Sequence, residues 1–239
     1  MWSFRAKAAA GGVRVSARPL IFDLDGTLVD NVPFHVRAFT LFLERHALPP
    51  LTDELRRRLH GKRNADIFPI LFGRELAQDE LAQLSEEKEA LYRRLSTGRI
   101  TPLPGLLRLL ALAEKQGGPV AVATSAPSGN IPHALGEAGL IDRFDVVVQA
   151  DEVPRGKPHP DVFLETARRI GVPPQSCVGF EDTPSGIASV RSAGMECVAL
   201  ATSFPAELLL GLPCPPHHVV RDFEEYLSGP GAWLTDERR

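Results

Sequence analysis

Residues 21–30 read IFDLDGTLVD and place two carboxylates at the end of an apolar run. Asp23 and Asp25 are two positions apart, so they share one face if a strand continues through them. Gly26 then permits a turn that other residues resist. Neighbouring carboxylates repel each other unless a cation lies between them, and Mg²⁺ is an oxygen-binding cation that often partners a substrate phosphate. The stretch therefore indicates a strand that ends in a Mg²⁺ site. Two solvated acids at a strand end are the alternative.

Four short motifs of the chain resemble the four motifs of the haloacid dehalogenase superfamily of phosphotransferases. In chain order they are DLDGTL at 23–28, VAVAT at 120–124, GKP at 156–158 and VGFED at 178–182. Each lies at a predicted strand end or helix start, and four such matches in order are hard to obtain by chance. The resemblance extends over residues 19–228 and implies a phosphoryl-transfer reaction that depends on Mg²⁺.

Six apolar runs bounded by turn residues predict β-strands. They lie near residues 20–24, 119–124, 144–149, 176–180, 196–201 and 218–221. Helical patterns between them, at 103–115, 158–170 and 184–193, predict an α/β fold, a Rossmann-like parallel sheet with helices on both faces. Ligands of such sheets bind at the carboxyl ends of the strands, and all four motifs fall there.

The segment between the first two motifs, residues 33–98, carries helical patterns and no convincing strand. We expect an inserted all-helical cap domain there, over a core formed by residues 19–32 and 99–239. The charged run EEKE at 86–89 is interpreted as a solvated helix face. The two linkers are expected near 29–33 and 101–104.

Composition and charge restrict the function classes further. The chain has 239 residues, 44% of them hydrophobic, and a formal net charge of −3, which suits an α/β domain with an inserted lobe. The near-neutral charge gives no electrostatic footprint for nucleic acid, and no apolar stretch approaches the roughly 18–20 residues that span a bilayer. We expect a cytoplasmic protein that is a monomer or weak dimer. The resemblance implies that its partner is a small-molecule phosphate ester.

Residues 1–18 differ from the rest, because they contain four basic residues and no acidic one. This composition faintly resembles an organelle transit peptide. We favour the interpretation that they are a disordered leader or an over-long start.

The resemblance assigns chemical roles to the motif residues. Asp23 would be the nucleophile, because a carboxylate can form a covalent aspartyl-phosphate. Asp25 would protonate the leaving oxygen and then deprotonate the attacking water, and acting as an acid near neutral pH requires a raised pKa. Thr124 would donate a hydrogen bond to the transferring phosphoryl group. Lys157 would offset the charge of phosphate and carboxylate oxygens.

The cofactor that the resemblance implies is Mg²⁺. Asp23, the backbone carbonyl of Asp25, and Asp182 would bind it, and Glu181 would help directly or through a water. A helix N-cap ahead of Pro184 is the alternative role for the last two acids, and cap and metal ligand are compatible roles.

Substrate choice is expected to depend on the cap, because the core contacts only the phosphoryl group. Lys62 and Arg63, in a polar loop with Asn64, would hold a second anionic group of the substrate; a solvated basic loop is the alternative. His35 would contact the substrate or the second carboxylate of the first motif, or fill the cap–core interface. Ser125 would extend the phosphate cradle.

The helical cap and the D-x-x-x-x-H segment at 30–35 resemble β-phosphoglucomutase and its sugar-phosphate phosphatase relatives. Asn31 and Asn64 depart from the mutase pattern, which has a threonine and an arginine there, and so favour a phosphatase. We predict a Mg²⁺-dependent phosphatase of a small phosphorylated metabolite, sugar or polyol phosphates first. A β-phosphoglucomutase-type mutase is the alternative. A non-enzymatic binding protein on this fold is a minor alternative, because a fold does not determine a function.

Overall fold

A six-stranded parallel sheet forms the centre of the protein, in a computed structural model that describes residues 18–235. The strands are Leu20–Phe22 (β1), Val120–Thr124 (β2), Val146–Gln149 (β3), Val178–Glu181 (β4), Glu196–Leu200 (β5) and His218–Val220 (β6). Their order across the sheet is β3-β2-β1-β4-β5-β6, and every neighbouring pair is parallel. The predicted fold class is confirmed. The predicted leader lies outside the described residues, except for Arg18.

Helices connect the strands and form the inserted segment. They are Val32–Arg45 (α1), Asp53–Leu59 (α2), Asn64–Phe72 (α3), Gln78–Ser96 (α4), Leu106–Lys115 (α5), Asn130–Glu137 (α6), Asp161–Arg169 (α7), Pro184–Ser192 (α8), Ala206–Leu210 (α9) and Phe223–Ser228 (α10). Short 3₁₀ turns also occur, at Ala150–Glu152, Pro174–Ser176 and Ala232–Leu234. Within residues 18–235, no helix is both long enough and apolar enough to cross a membrane.

Alternate residues of each strand point to opposite faces of the sheet, and helices cover both faces. Phe22 of β1 stacks on Phe180 of β4, with ring centroids 4.7 Å apart, and both pack against α10 through Phe223. Ile21 points to the other face, where α7 and α8 cover the sheet. Gly179 lets α8 approach closely, since a Cβ there would lie 2.5 Å from a methyl of Val190.

Helix α5 begins at Leu106, three residues after the predicted start. Pro104 accepts a hydrogen bond from the Phe223 backbone (3.0 Å), and Gly105 has a φ of 80°. A Cβ at Gly105 would lie 2.4 Å from the backbone nitrogen of Glu224, so the chain turns tightly against α10 before the helix starts. Tertiary contact therefore sets this boundary.

Helices α1 to α4 fall between the first two core strands, and Phe42 of α1 stacks on Phe68 of α3 with centroids 5.2 Å apart. The chain enters and leaves this segment side by side. The Asp30 backbone donates to Thr101 (3.0 Å), and the Leu103 backbone donates to Leu28 (3.0 Å). The two predicted linkers are therefore hydrogen-bonded to each other.

The interpretation of the charged run in α4 as a solvated face is wrong for two of its residues. Lys88 and Glu89 are each 3% exposed, whereas the side chain of Glu86 is 67% exposed. Leu84, Lys88 and Tyr92 follow at four-residue intervals, so they lie on one helix face, and all three are buried. That helix face packs against the rest of the protein, so the side chain of Lys88 is buried with it.

Candidate active site

The carboxyl ends of three neighbouring strands bring the motif residues together. Asp23 follows β1 directly, Thr124 ends β2, and Glu181 ends β4 with Asp182 after it. The Asp23 backbone donates to the carbonyl of Phe180 (2.9 Å), which continues the pairing of β1 with β4 by one residue. Parallel strands end at one edge of a sheet, so residues distant in the chain become neighbours there.

Lys157 is the buried cation of this cluster. Its ammonium lies 2.5 Å from Asp23 Oδ1 and 2.6 Å from Glu181 Oε1, and it donates to the carbonyl of Ala123 (3.2 Å). Burial alone would lower the pKa of Lys157, but the two carboxylates raise it above its ordinary value. Lys157 is therefore held in its charged form.

The pKa of Asp23 is raised, first by burial and then by the neighbouring charges of Glu181 and Asp25, against the opposing effect of Lys157. The pKa of Asp182 is also raised well above its usual range, by burial, Glu181 and Asp23. Burial disfavours the charged form of a carboxyl, and like charges nearby add to that effect. This edge of the sheet therefore carries more negative charge than Lys157 offsets.

Asp182 is held by two hydroxyl groups and rests against a glycine. Thr27 Oγ1 donates to Oδ1 (3.3 Å), and Ser203 Oγ donates to Oδ2. Gly26 has a φ of 80°, and a Cβ there would lie 2.2 Å from Asp182 Oδ2. The glycine of the first motif is thus required both by its backbone conformation and by the carboxylate beside it.

Glu181 is fully engaged by protein donors. Oε2 accepts from the backbone of Asp182 (2.8 Å) and from the backbone and hydroxyl of Thr183 (3.0 Å each), while Oε1 accepts from Lys157. The N-cap of α8 is Thr183, whose hydroxyl accepts from the Gly186 backbone (3.1 Å). The capping role considered for Glu181 and Asp182 thus belongs to the next residue.

Asp25 has different surroundings from Asp23. Its Oδ1 accepts from Asn31 Nδ2 (2.6 Å) and lies 3.5 Å from His35 Nε2. Burial acts to raise the pKa of Asp25. The combined opposing effect of His35 and Asn31 is larger, so the pKa is lowered to about 2. The protein's own groups therefore do not supply the raised pKa that an acid role requires of Asp25, because a histidine of α1 and the amide at its N-cap stabilise the charged form.

His35 connects Asp25 to the cap. Its ring stacks on Tyr92, with centroids 3.8 Å apart, and its Nδ1 lies 3.1 Å from Lys88 Nζ. The Tyr92 hydroxyl accepts from Asn31 Nδ2 (2.7 Å), the same amide that holds Asp25. These contacts place a buried lysine of α4 at the mouth of the carboxylate cluster.

The loop between α2 and α3, residues 60–63 (the cap loop), accepts hydrogen bonds through its backbone carbonyls from residues outside the inserted segment. Ser125 Oγ donates to the carbonyl of Gly61 (2.8 Å), and Ser185 Oγ donates to the carbonyl of His60 (2.9 Å). His60 Nε2 lies 3.2 Å from Ser203 Oγ. Ser125, predicted to extend the phosphate cradle, thus also holds the cap loop to the core.

One cleft lies between these groups. It is lined on one side by Asp23, Asp25 and residues 124–127, and on the other chiefly by residues of the inserted segment, His35, Phe39, His60, Lys62, Asn64, Lys88 and Glu89. Arg63 does not line this cleft. Its guanidinium binds the carboxylate of Asp66 (2.9 and 3.3 Å) and donates to the Ala150 carbonyl (3.4 Å).

The family model for haloacid dehalogenase-like hydrolases matches residues 20–200. The chain belongs to this family. The resemblance seen in the four motifs, and the prediction of an enzyme of the hydrolase class, are confirmed. The match spans five of the six strands, from β1 to the end of β5, and the whole inserted segment.

Two relatives with phosphate-ester names and one solved hydrolase structure are similar to this chain. Hexitol phosphatase A of Escherichia coli is 38% identical over 78% of this chain and 83% of the relative. A β-phosphoglucomutase of Bacillus subtilis is 32% identical over 79% of this chain and 85% of the relative. The crystal structure of a hydrolase from Pseudomonas syringae superimposes with a TM-score of 0.80 at 28% identity, covering 90% of this chain and 99% of that one.

Sequence reasoning missed several residues of the site. Ser203, Tyr92, Lys88, Glu89 and Asn130 were not among the candidates, although each contacts a cleft residue. A signal existed for Ser203, because it follows the predicted strand next to β4 and therefore lies at the same edge of the sheet. For the residues on α4 the charged composition was misleading.

Proposed function

We propose that the protein is a Mg²⁺-dependent phosphatase of small phosphorylated metabolites, sugar or polyol phosphates first, acting through an aspartyl-phosphate on Asp23. The observation that carries the proposal is the buried Lys157, 2.5 Å from Asp23 Oδ1 at the carboxyl edge of the sheet. A fixed cation beside a carboxylate nucleophile suits a reaction in which phosphate charge must be offset. The relationship to hexitol phosphatase A supports the substrate class.

We also propose that residues 33–98 act as the cap over a core of 19–32 and 99–239, with the paired linkers as hinges. The cleft between them is lined by residues of both segments, as expected for a site that closes over a small molecule. Closure would exclude water and complete the site, as lids commonly do.

The donor set fits Mg²⁺. The carboxylates of Asp23 and Asp182 and the backbone carbonyl of Asp25 are hard oxygen ligands, and Mg²⁺ is usually held by one or two carboxylates with waters and substrate phosphate. The raised pKa of Asp182, due to burial and its acidic neighbours, reflects a local excess of negative charge. Among residues 18–235, no three His, Cys, Asp or Glu side chains are placed so that they could hold a metal ion by themselves. When bound, Mg²⁺ would neutralise carboxylate and phosphate charge.

The reaction proceeds in two steps on this chain's residues. Because Lys157 occupies Asp23 Oδ1, Oδ2 attacks phosphorus, forming an O–P bond as the ester P–O bond breaks. Asp25 gives a proton to the leaving oxygen, and then takes one from the water that attacks the phosphoaspartate and releases phosphate. The anionic substrate itself raises the pKa of Asp25, against the lowering by His35 and Asn31.

The hydroxyl of Thr124, which accepts from the Ala126 backbone (3.0 Å), and the backbone N–H of Ser125 would bind the phosphoryl oxygens. Glu181 acts through Lys157, since both of its oxygens already have protein donors. It is therefore a positioning residue in this proposal, and a water-mediated contact to the metal is compatible with that role.

The β-phosphoglucomutase activity remains the second candidate, and the 32% identity to the Bacillus subtilis enzyme favours it. A mutase and a phosphatase share the core chemistry and differ in whether water reaches the phosphoaspartate. In this chain the side-chain amide of Asn31 donates hydrogen bonds to both Asp25 and Tyr92. Asn31 is one of the two departures from the mutase pattern that favour the phosphatase.

The test is release of inorganic phosphate from a panel of phosphorylated metabolites with Mg²⁺, with β-glucose 1-phosphate also assayed for glucose 6-phosphate. We expect rapid phosphate release that EDTA and Asp23→Asn abolish, while the exposed Asp79→Asn on α4 retains it. Isomer formation with little phosphate release would establish the mutase instead. No turnover of any compound would contradict both and favour a binding protein.

A further inference from the structure

Glu89 of α4 is a buried carboxylate that the reaction above does not use. It is 3% exposed and lines the same cleft as Asp23, from the cap side. A buried carboxylate is costly unless it is paired and hydrogen-bonded, so its presence beside a substrate site calls for a reason.

Partners from three parts of the chain fix Glu89 in place. Oε1 accepts from Asn64 Nδ2 (2.9 Å) and from Lys88 Nζ (3.0 Å), and Oε2 accepts from Asn130 Nδ2 (2.6 Å). Asn64 begins helix α3 of the cap, and Asn130 begins helix α6 of the core. An ionised carboxylate accepts about four hydrogen bonds, so Glu89 keeps capacity for one further donor, on Oε2.

The charges around the cleft give Glu89 a second effect. Lys88 would attract an anionic ligand, but Glu89 neutralises it at 3.0 Å. Arg63 is paired with Asp66 and lines an adjoining cavity, which shares Asn64, Ser125 and Pro127 with the cleft. Lys62 lines the cleft from the cap, and no carboxylate of the described residues lies within 4 Å of it. Glu89 therefore offsets one of the two lysine charges that line the cleft from the cap, and Lys62 keeps the other.

We propose that Glu89 is a specificity-determining residue, which accepts a substrate hydroxyl and disfavours a second phosphate, so that the enzyme selects polyhydroxy monophosphates over bisphosphates. The proposal rests on the phosphatase function proposed above. Specificity of this kind combines an attractive contact to one ligand with a repulsive one to its competitor.

The experiment compares kcat/KM for fructose 1-phosphate and fructose 1,6-bisphosphate, which differ only in the second phosphate. We expect the wild-type enzyme to prefer the monophosphate by about tenfold or more, and Glu89→Gln to reduce that preference by about tenfold, because one like charge is removed from a desolvated site. The matched control is Glu80→Gln, on the same helix, whose carboxylate pairs with the exposed Arg74 and should leave the preference unchanged.

A purely structural role for Glu89 would lower both kcat/KM values together, and an unchanged ratio in Glu89→Gln would overturn the proposal. If that variant does not fold, the wild-type ratio decides, since equal use of the two substrates or a preference for the bisphosphate also overturns it. Absence of phosphate release from every monophosphate of the panel would instead refute the phosphatase function itself.

Discussion

The ammonium of Lys157 lies 2.5 Å from the Asp23 carboxylate, although the two residues are 134 positions apart in the chain. Both side chains are buried, and Glu181 shares the same cation at 2.6 Å. The pair joins the third motif to the first and sets the charge around Asp23, the proposed nucleophile.

Replacing Lys157 by Met should harm both catalysis and stability. Two buried carboxylates lose their cation, so we expect unfolding free energy to fall by about 3–5 kcal/mol. Phosphate release should fall by about 10²-fold or more, because charge at the phosphoryl group is no longer offset. Urea unfolding and steady-state kinetics measure the two effects.

The matched control is Arg155→Gln, which breaks the exposed pair with Asp161 and should cost less than about 1 kcal/mol. A Lys157→Met variant with near-wild-type turnover would refute the proposed role.

Gly26→Ala should displace Asp182. The new Cβ would lie 2.2 Å from its carboxylate, and the φ of 80° adds strain, so we expect a loss of more than about 2 kcal/mol together with most of the activity. Gly73→Ala is the matched control, since Gly73 has a φ of 64° and nothing within 4 Å. It should cost about 1 kcal/mol and spare activity. Equal behaviour of the two variants would show that strain alone matters.

Ser203→Ala should weaken Mg²⁺ binding, because the hydroxyl that orients Asp182 is removed. Loss of a partner that orients a metal ligand typically costs 10–100-fold in affinity, so we expect about a tenfold higher Mg²⁺ requirement. Mg²⁺ titrations of both phosphate release and the thermal unfolding midpoint would report it. Ser176→Ala, which removes an exposed local hydrogen bond, should change neither. An unaltered Mg²⁺ requirement in the Ser203 variant would argue against Asp182 as a ligand.

His60 should make the protein sensitive to acid. Burial, with smaller effects of His35 and Arg56, lowers the pKa of His60 to about 3 from 6.5. Between these values the unfolded state binds more protons, so unfolding free energy falls as pH falls, by up to about 1.4 kcal/mol per pH unit.

His60→Gln should remove that dependence over the same range. Urea unfolding at several pH values between about 6.5 and 4.5 measures the slope for both proteins. Equal slopes would show that His60 takes up its proton without cost in the folded state.

The sequence by itself determined the sheet and the motif cluster. Each strand of a buried parallel sheet is an apolar run bounded by turn residues, and the ends of such strands meet at one edge. Asp23, Thr124 and Asp182 could therefore be placed together from local patterns alone. The pairing of Lys157 with the carboxylates followed from the family resemblance, whereas the order of the strands across the sheet came only from the tertiary structure.

Only the tertiary structure decided what faces the cleft from the cap. The packing of α4 against α1 and the core buries Lys88 and Glu89, although their charges predict exposure. The lowered pKa of Asp25 likewise depends on His35 and Asn31, which the fold turns back onto it. Such contacts join segments that no local pattern relates, so their burial and charge depend on how the inserted helices are seated over the sheet.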